Sequence, residues 1–317
     1  YVIAGFIIMI LISQPDPDIF RRTSGLLLIF SFLLLGLTYL FGPEINGAQR
    51  WVRIGPFSFQ SSELLKLAVP IFLANFLFNK KLPIQRNEIF ISLLIIFFCF
   101  FIVFRQPDLG TALIIAFSGL FVLFLSGLSW SFMGGSLALL ILSSPFIWNI
   151  LLQPFQRQRI ATFFNQDLDP FGASWNIIQS KVAIGSGGLF GKGFGEGSQT
   201  QLNFLPETET DFIFSVIGEE FGFLGVLFLL SIYLFILLRC LYLALNARDR
   251  FCRLVIGGLS LTFAANLIIN LCMVVGLLPV VGMPLPFISK GGSSLLSLFF
   301  AFGIIISMST HKKFLPQ

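Results

Sequence analysis

Three carboxylates fall within five residues of the stretch FLPETETDFIF, at Glu207, Glu209 and Asp211. Groups so placed can abstract a proton, cap a helix or hold a cation. Capping accounts for any one of them, since acids suit the positive end of a helix dipole. It accounts less well for three, because like charges this close repel and at least one needs a cation. Glu207 and Asp211 are four apart, so a helix starting near Pro206 would carry both on one face. Glu219 and Glu220 follow about 12 Å deeper along such a helix. Carboxylates inside an apolar run are functional suspects.

Other polar groups sit at the mouths of apolar runs. Arg50 and Arg53 flank Trp51, as an interfacial aromatic belt with snorkelling arginines would. Glu63 and Lys66 are three apart at the start of an apolar run. A lysine there faces a partner or a wet cavity, and Glu63 can neutralise it. In FRQPDLGTAL, Pro107 stops one helix and Asp108 can cap the next. The stretch WNIIQSKVAIG reads as a short interfacial amphipathic helix offering Gln179 and Lys181 to one face. Three prolines and a glycine pair break GLLPVVGMPLPFISKGGSS, which would turn Ser289, Lys290 and Ser293 toward an interior cavity.

Positioning these groups falls to membrane-spanning helices. Charged residues are 11% of the 317-residue chain, apolar residues 56%, and phenylalanines number 41; a soluble domain carries about 25% charged residues. Mean hydropathy is +0.91. Nine apolar segments stand at 1–13, 24–42, 64–78, 89–104, 110–126, 132–152, 212–238, 254–276 and 294–309. Runs of this length in hydrocarbon must be helical. The fold class expected is an all-α polytopic membrane protein, one domain over 1–317. The chain starts without methionine inside an apolar segment, so a first helix is expected to be missing.

Alternate loops then divide by charge. Arg21, Arg22, Lys80, Lys81, Arg86, Arg239, Arg248, Arg250, Arg253, Lys312 and Lys313 share one side with four acids. The other side has eight Lys/Arg and nine acids. The first side is cytoplasmic by the positive-inside rule. The loops 43–63, 105–109, 277–293 and the large loop 153–211 therefore lie outside, where the chemistry must be.

Several classes are excluded. Four cysteines without C-x-x-C spacing and a single histidine, His311, make no zinc site. GSGGLFGKGFGEGS has Ser186 and Gly193 where a phosphate-binding loop needs Gly and Ser/Thr, so no nucleotide is expected. Its glycines read as flexible backbone able to approach a bulky ligand. Nucleic acid is not expected as a partner. Two classes remain: a transporter with broken helices, and an outer-face enzyme using cations for phosphate and carboxylates for acid–base work.

GAQRWVRIG, FQSSELLKLA, RQPDLGTAL, IIQSKVAIGSGGLFGKG, FLPETETDFIFSVIGEEFGFLG and LLPVVGMPLPFISKGGSSL, in this order, resemble the SEDS (RodA/FtsW) family of bacterial cell-wall synthesis. The wording is nearer its elongation branch. The resemblance implies ten transmembrane helices and a peptidoglycan glycosyltransferase that joins lipid II units outside the membrane with inversion, releasing undecaprenyl pyrophosphate. It implies Asp211 as the essential residue, acting as base or binding a divalent cation (Mg or Mn). Arg50, Lys66, Lys181, Gln179, Ser289 and Lys290 would then line the pyrophosphate and sugar pocket, with Glu63, Asp108 and Glu207 organising it. Lipid II and undecaprenyl-linked glycan, a class B penicillin-binding transpeptidase, the elongation machinery and membrane lipid are the implied partners. A lipid II flippase, a division-type polymerase and a scaffold activating the transpeptidase are the alternatives. Three departures stand out: Glu209 replaces the family's histidine, Lys290 the tyrosine of SYGGS, and Ser61 the proline of QPSE. A lost basic group at 209 would be regained across the cavity at 290, a Glu209–Lys290 compensation that a double-mutant cycle of activity would expose.

Overall fold

The computed structural model describes residues 1–45, 48–54, 57–80, 84–128, 132, 134–135, 142, 148–149, 154–165, 174–201 and 209–311. Their helices, in chain order, are α1 (Val2–Ser13), α2 (Pro17–Phe41), α3 (Ser61–Phe78), α4 (Arg86–Arg105), α5 (Leu109–Leu125), α6 (Pro154–Phe164), α7 (Trp175–Ser186), α8 (Ser198–Gln201), α9 (Ile213–Leu245), α10 (Arg250–Val274) and α11 (Gly292–Thr310). Two antiparallel strand pairs precede α3: β1 (Glu44–Ile45) with β2 (Ala48–Gln49), and β3 (Trp51–Ile54) with β4 (Phe57–Gln60).

Among the described residues six helices are long and apolar enough to cross a bilayer: α2, α3, α4, α9, α10 and α11. Helices α1 and α5 are shorter apolar ones. Eight of the nine apolar segments thus form helices, and the ninth, 132–152, lies mostly outside the described residues. The chain is a multi-pass membrane protein. The outward residues say the same: α2 exposes Leu26, Ile29 and Leu33, and α4 exposes Phe90, Leu94 and Phe97. Such faces suit lipid, not water.

The chain forms two compact units, one of residues 1–128, 236–265 and 291–317, the other of 129–235 and 266–290. In the first unit α3 is the central helix. Leu65, Val69, Ile71, Leu73 and Leu77 bury different sides of it, as expected of a helix apolar all round. Helix α11 packs on α1 closely enough that a Cβ on Gly5 would overlap the Phe299 ring. Asp16 caps α2 by accepting from the Asp18 amide at 2.8 Å, and Gln85 with Glu88 forms a capping box on α4. The Arg248 side chain, 8% exposed, faces Asp16, Asp18 and Asp249 at 3.2–3.7 Å. Burial alone would raise the Asp249 carboxyl. Hydrogen bonds from Cys252 and Arg248 outweigh that and hold it below the ordinary carboxylate range. The more basic set of loops therefore includes a charge pinned by its own chain.

The strand pairs are an addition to the sequence reading, which places only an interfacial belt there. Their cause is local. Trp51-Val52-Arg53-Ile54 and Phe57-Ser58-Phe59-Gln60 are rich in β-branched and aromatic residues, separated in sequence by Gly55-Pro56, a turn dipeptide.

In the second unit α7 confirms the helix read at WNIIQSKVAIG. Ser180 on its buried face donates to the Val274 carbonyl at the end of α10. From Val275 to Lys290 the chain is not helical, as the prolines require. Tyr233 of α9 donates to the Pro286 carbonyl at 2.6 Å and ties this segment down.

Candidate active site

Asp211 lies in the turn just before α9, partly exposed, and not on the helix. A helix read to start near Pro206 therefore does not carry Asp211, and residues 202–208 lie outside the described residues. The physical reason is in the carbonyls. Those of Glu209, Thr210 and Asp211 accept hydrogen bonds from outside the helix. The Lys290 amide donates to Glu209 O at 2.8 Å, Ser289 Oγ to Thr210 O at 2.5 Å, and Asn270 Nδ2 to Asp211 O at 2.9 Å. Asn270 also donates to the Met283 carbonyl at 2.6 Å, and Ser289 accepts from the Leu285 amide at 2.7 Å. Gly282, at φ +70°, lies against the Asp211 carboxylate: a Cβ there would be 3.6 Å from Oδ2.

Glu209 and Lys290, the two departures read as compensating for one another, form an ion pair, Nζ to Oε2 at 2.5 Å. Both side chains are exposed, 65% and 76%, so Lys290 looks outward and not into a closed interior. Ser289 is buried and both its hydrogen-bonding roles are taken by backbone. Lys181 on α7 is exposed and runs past Gly276, whose missing Cβ (φ +75°) makes room for its Cε. Gln179 is half-buried on the same helix. Glu207 lies outside the described residues.

Glu219 is fully buried, and one oxygen of its carboxylate, Oε1, gathers three donors. Lys192 Nζ donates to it at 2.7 Å, and Ser198 Oγ and the Gln199 amide at 3.1 Å. The glycine-rich loop is thus fastened to α9. Helix α9 is broken at Gly222, with φ +64° and ψ −163°. Loop backbone fills the break. The Lys192 and Gly193 amides donate to the Glu219 and Glu220 carbonyls at 3.0 Å. The Phe223 and Leu224 amides donate to Gly188 and Leu189 at 2.9 and 3.1 Å. A Cβ at Gly191 would overlap the Glu220 carbonyl. The glycines expected to approach a ligand approach the protein's own helix, because its open backbone groups need partners.

Two clusters stand in the first unit. Lys66 and Glu63, both buried, pair at 2.7 Å, and Ser297 of α11 donates to the other Glu63 oxygen at 2.5 Å. Neutralisation of Lys66 by Glu63 is as read from the spacing. Asp108 is buried and caps α5 through the Thr111 amide at 3.1 Å, while Gln60 donates to its second oxygen at 2.7 Å. Half-buried Arg50 donates to the Gln106 carbonyl at 2.9 Å and to the Pro107 carbonyl, bracing the turn that presents Asp108.

The sequence reading passes over Asn270, Gln60, Ser297 and the Lys192 partner of Glu219. Asn270 carries a signal, an amide inside the apolar run AANLIINLCMVV. For Ser297 and Gln60 the sequence shows nothing distinctive. Among the described residues no group of three or more His, Cys, Asp or Glu could hold a metal ion. Lys290 already occupies one oxygen of the Glu209 carboxylate.

Comparison with known proteins shows the family. The FtsW/RodA/SpoVE family model, a cell cycle protein, matches residues 1–314. Peptidoglycan glycosyltransferase MrdB of Escherichia coli K12 is 44% identical over 313 residues, covering 99% of this chain and 85% of MrdB. A solved structure describing polymerization and crosslinking by a peptidoglycan synthase complex superposes at TM-score 0.83 and 30% identity, over 96% of this chain and 85% of the other. A mutant of the rod shape determining protein RodA from Thermus thermophilus superposes at 0.69 and 30% identity, over 96% and 83%. This chain belongs to the FtsW/RodA/SpoVE family of cell cycle proteins.

Proposed function

We propose that this protein is a peptidoglycan glycosyltransferase that polymerises lipid II into glycan strands for cell elongation. The observation that carries this reading is 44% identity to a peptidoglycan glycosyltransferase along 99% of the chain. Likeness to a RodA structure favours the elongation branch. The site of reaction in this reading is the outer face of the bacterial cytoplasmic membrane, with the charge asymmetry of the loops as support for the outward side.

In the reaction the 4-hydroxyl of one sugar attacks the anomeric carbon of the other, the bond to pyrophosphate breaks, and configuration inverts. Pyrophosphate leaves readily, so the reaction needs a base for the hydroxyl proton and cations for the departing charge. Asp211 takes the proton; its partial exposure and the room left by Gly282 suit access by an acceptor. A divalent cation (Mg or Mn) bound through Asp211 is the secondary form of this role, and chelation of the purified protein tests it. Arg50, Lys66, Lys181 and Lys290 are the proposed cations, Gln179 a sugar contact, and Glu63, Asp108 and Glu207 the groups that order them. Arg50 and Lys66 already have protein partners, which suits fixed charges better than mobile ones. Lipid II, undecaprenyl-linked glycan and a class B penicillin-binding transpeptidase are the proposed partners.

Purified protein incubated with lipid II, beside Asp211→Ala, tests the reading. Wild type should give glycan polymer and Asp211→Ala none. Polymer from Asp211→Ala would remove the base assignment; lipid flipping without polymer, with the transpeptidase present, would replace polymerase by transporter.

A further inference from the structure

A carboxylate acting as base must be aimed, and a turn residue at the end of a loop has two free backbone rotations with which to miss. Each peptide unit is planar, so φ and ψ alone relate the two planes that meet at a Cα. The plane before Asp211 contains the Thr210 carbonyl, and the plane after it contains the Asp211 carbonyl. Ser289 holds the first and Asn270 the second. With both planes anchored, the Cα–Cβ direction of Asp211 is fixed as well.

The anchors are themselves fixed. Asn270 is fully buried in the last turns of α10, and its second N–H is bound to the Met283 carbonyl. Both partners of this amide are acceptors, so only its NH2 end can face them. An aspartate of the same shape would offer no donor in its ionised form and at most one when protonated. Ser289 is buried too, and its oxygen is fixed by the Leu285 amide while its hydrogen reaches Thr210. Neither arm needs to touch substrate.

We infer that Asn270 is a positioning residue for polymerisation, with Ser289 as its second arm: together they clamp the peptide planes on either side of Asp211 and so aim its carboxylate. The inference rests on the polymerase reading for its kinetic consequences, while the clamp itself has a readout independent of activity. It moves Ser289 from substrate binding to positioning.

The test compares wild type with Asn270→Asp, Ser289→Ala and Ser289→Thr in the full-length membrane protein. Hydrogen exchange of the peptide from Glu209 to Ser215 should quicken in Asn270→Asp and Ser289→Ala; unchanged exchange in both would overturn the clamp, whatever the activity. With lipid II, kcat should fall roughly a hundredfold in Asn270→Asp, the scale of a 1 Å misplacement. The KM should stay within about threefold of wild type. Ser289→Ala should lose about tenfold in kcat, and Ser289→Thr, which keeps the hydroxyl, should recover most of it. If Asn270→Asp does not fold, the Ser289 pair decides. Losses that follow the folded fraction, or an equal loss in Ser289→Thr, would overturn positioning. A wild type that exchanges as expected but makes no polymer would refute the polymerase reading and leave the clamp standing.

Discussion

Among its described residues the second unit breaks its helices at Gly222 and again after Val274, and the two interruptions are mended differently. At Gly222 the open carbonyls and amides of α9 are met by amides and carbonyls of the 188–193 loop. Between Val275 and Lys290 the meeting groups are largely side chains: Asn270, Ser289 and Tyr233 reach main-chain carbonyls. Both arrangements answer the same requirement, that backbone polar groups left open by a break in a helix find partners. A backbone-to-backbone repair depends on close approach and hence on glycine. A side-chain repair depends on the identity of a few polar residues. The first kind builds a scaffold; the second can be aimed, and it is the one that ends on Asp211.

The sharpest way to break the comparison is at Gly222. Gly222→Val asks a branched residue to take φ +64° where a Cβ would overlap Gly191 and Leu189. Left-handed strain and overpacking together should cost about 2–6 kcal/mol, read as a large fall in melting temperature and yield in detergent. A near-wild-type melt would mean that the break tolerates a side chain and the repair is not glycine-dependent.

Next in size is the buried pair that fastens the loop. Lys192→Met takes the cation away from buried Glu219, whose Oε1 keeps the Ser198 hydroxyl and the Gln199 amide, and should destabilise by about 2–3 kcal/mol, short of a fully buried broken pair because Lys192 is partly exposed. Glu219→Gln added to it should restore much of the loss. An undiminished loss in the double variant would show that packing, not charge, holds the loop.

The smallest effect belongs to the pair on the Asp211 side. Glu209 and Lys290 are both exposed, so either Glu209→Gln or Lys290→Met should change stability by less than about 1 kcal/mol. Under the polymerase reading their expected contribution is to activity, and it is shared. In a double-mutant cycle of polymerisation rates the two substitutions should be less than additive. Strict additivity would remove the idea that Lys290 compensates for the residue at 209. The amide of Lys290, which holds Glu209 O, survives any of these substitutions.

Much of this was legible without coordinates. Hydrophobic run length identified the spans, since a bilayer demands helices about 20 residues long. Local spacing identified the Glu63–Lys66 pair, the Asp108 cap and the α7 helix, because partners three or four residues apart meet on any helix. Motif wording singled out Asp211 and set Glu209 against Lys290. Tertiary structure alone decided the rest. Asn270 and Asp211 are 59 residues apart, and Ser289 and Thr210 79; Lys192 and Glu219 are 27 apart. No periodicity links such positions, for chain direction between them is set by where helices break and turn. The sequence determined which groups could do chemistry and in what kind of solvent. Only the fold determined that three consecutive carbonyls around Asp211 would be held from outside its helix, where its carboxylate can be aimed.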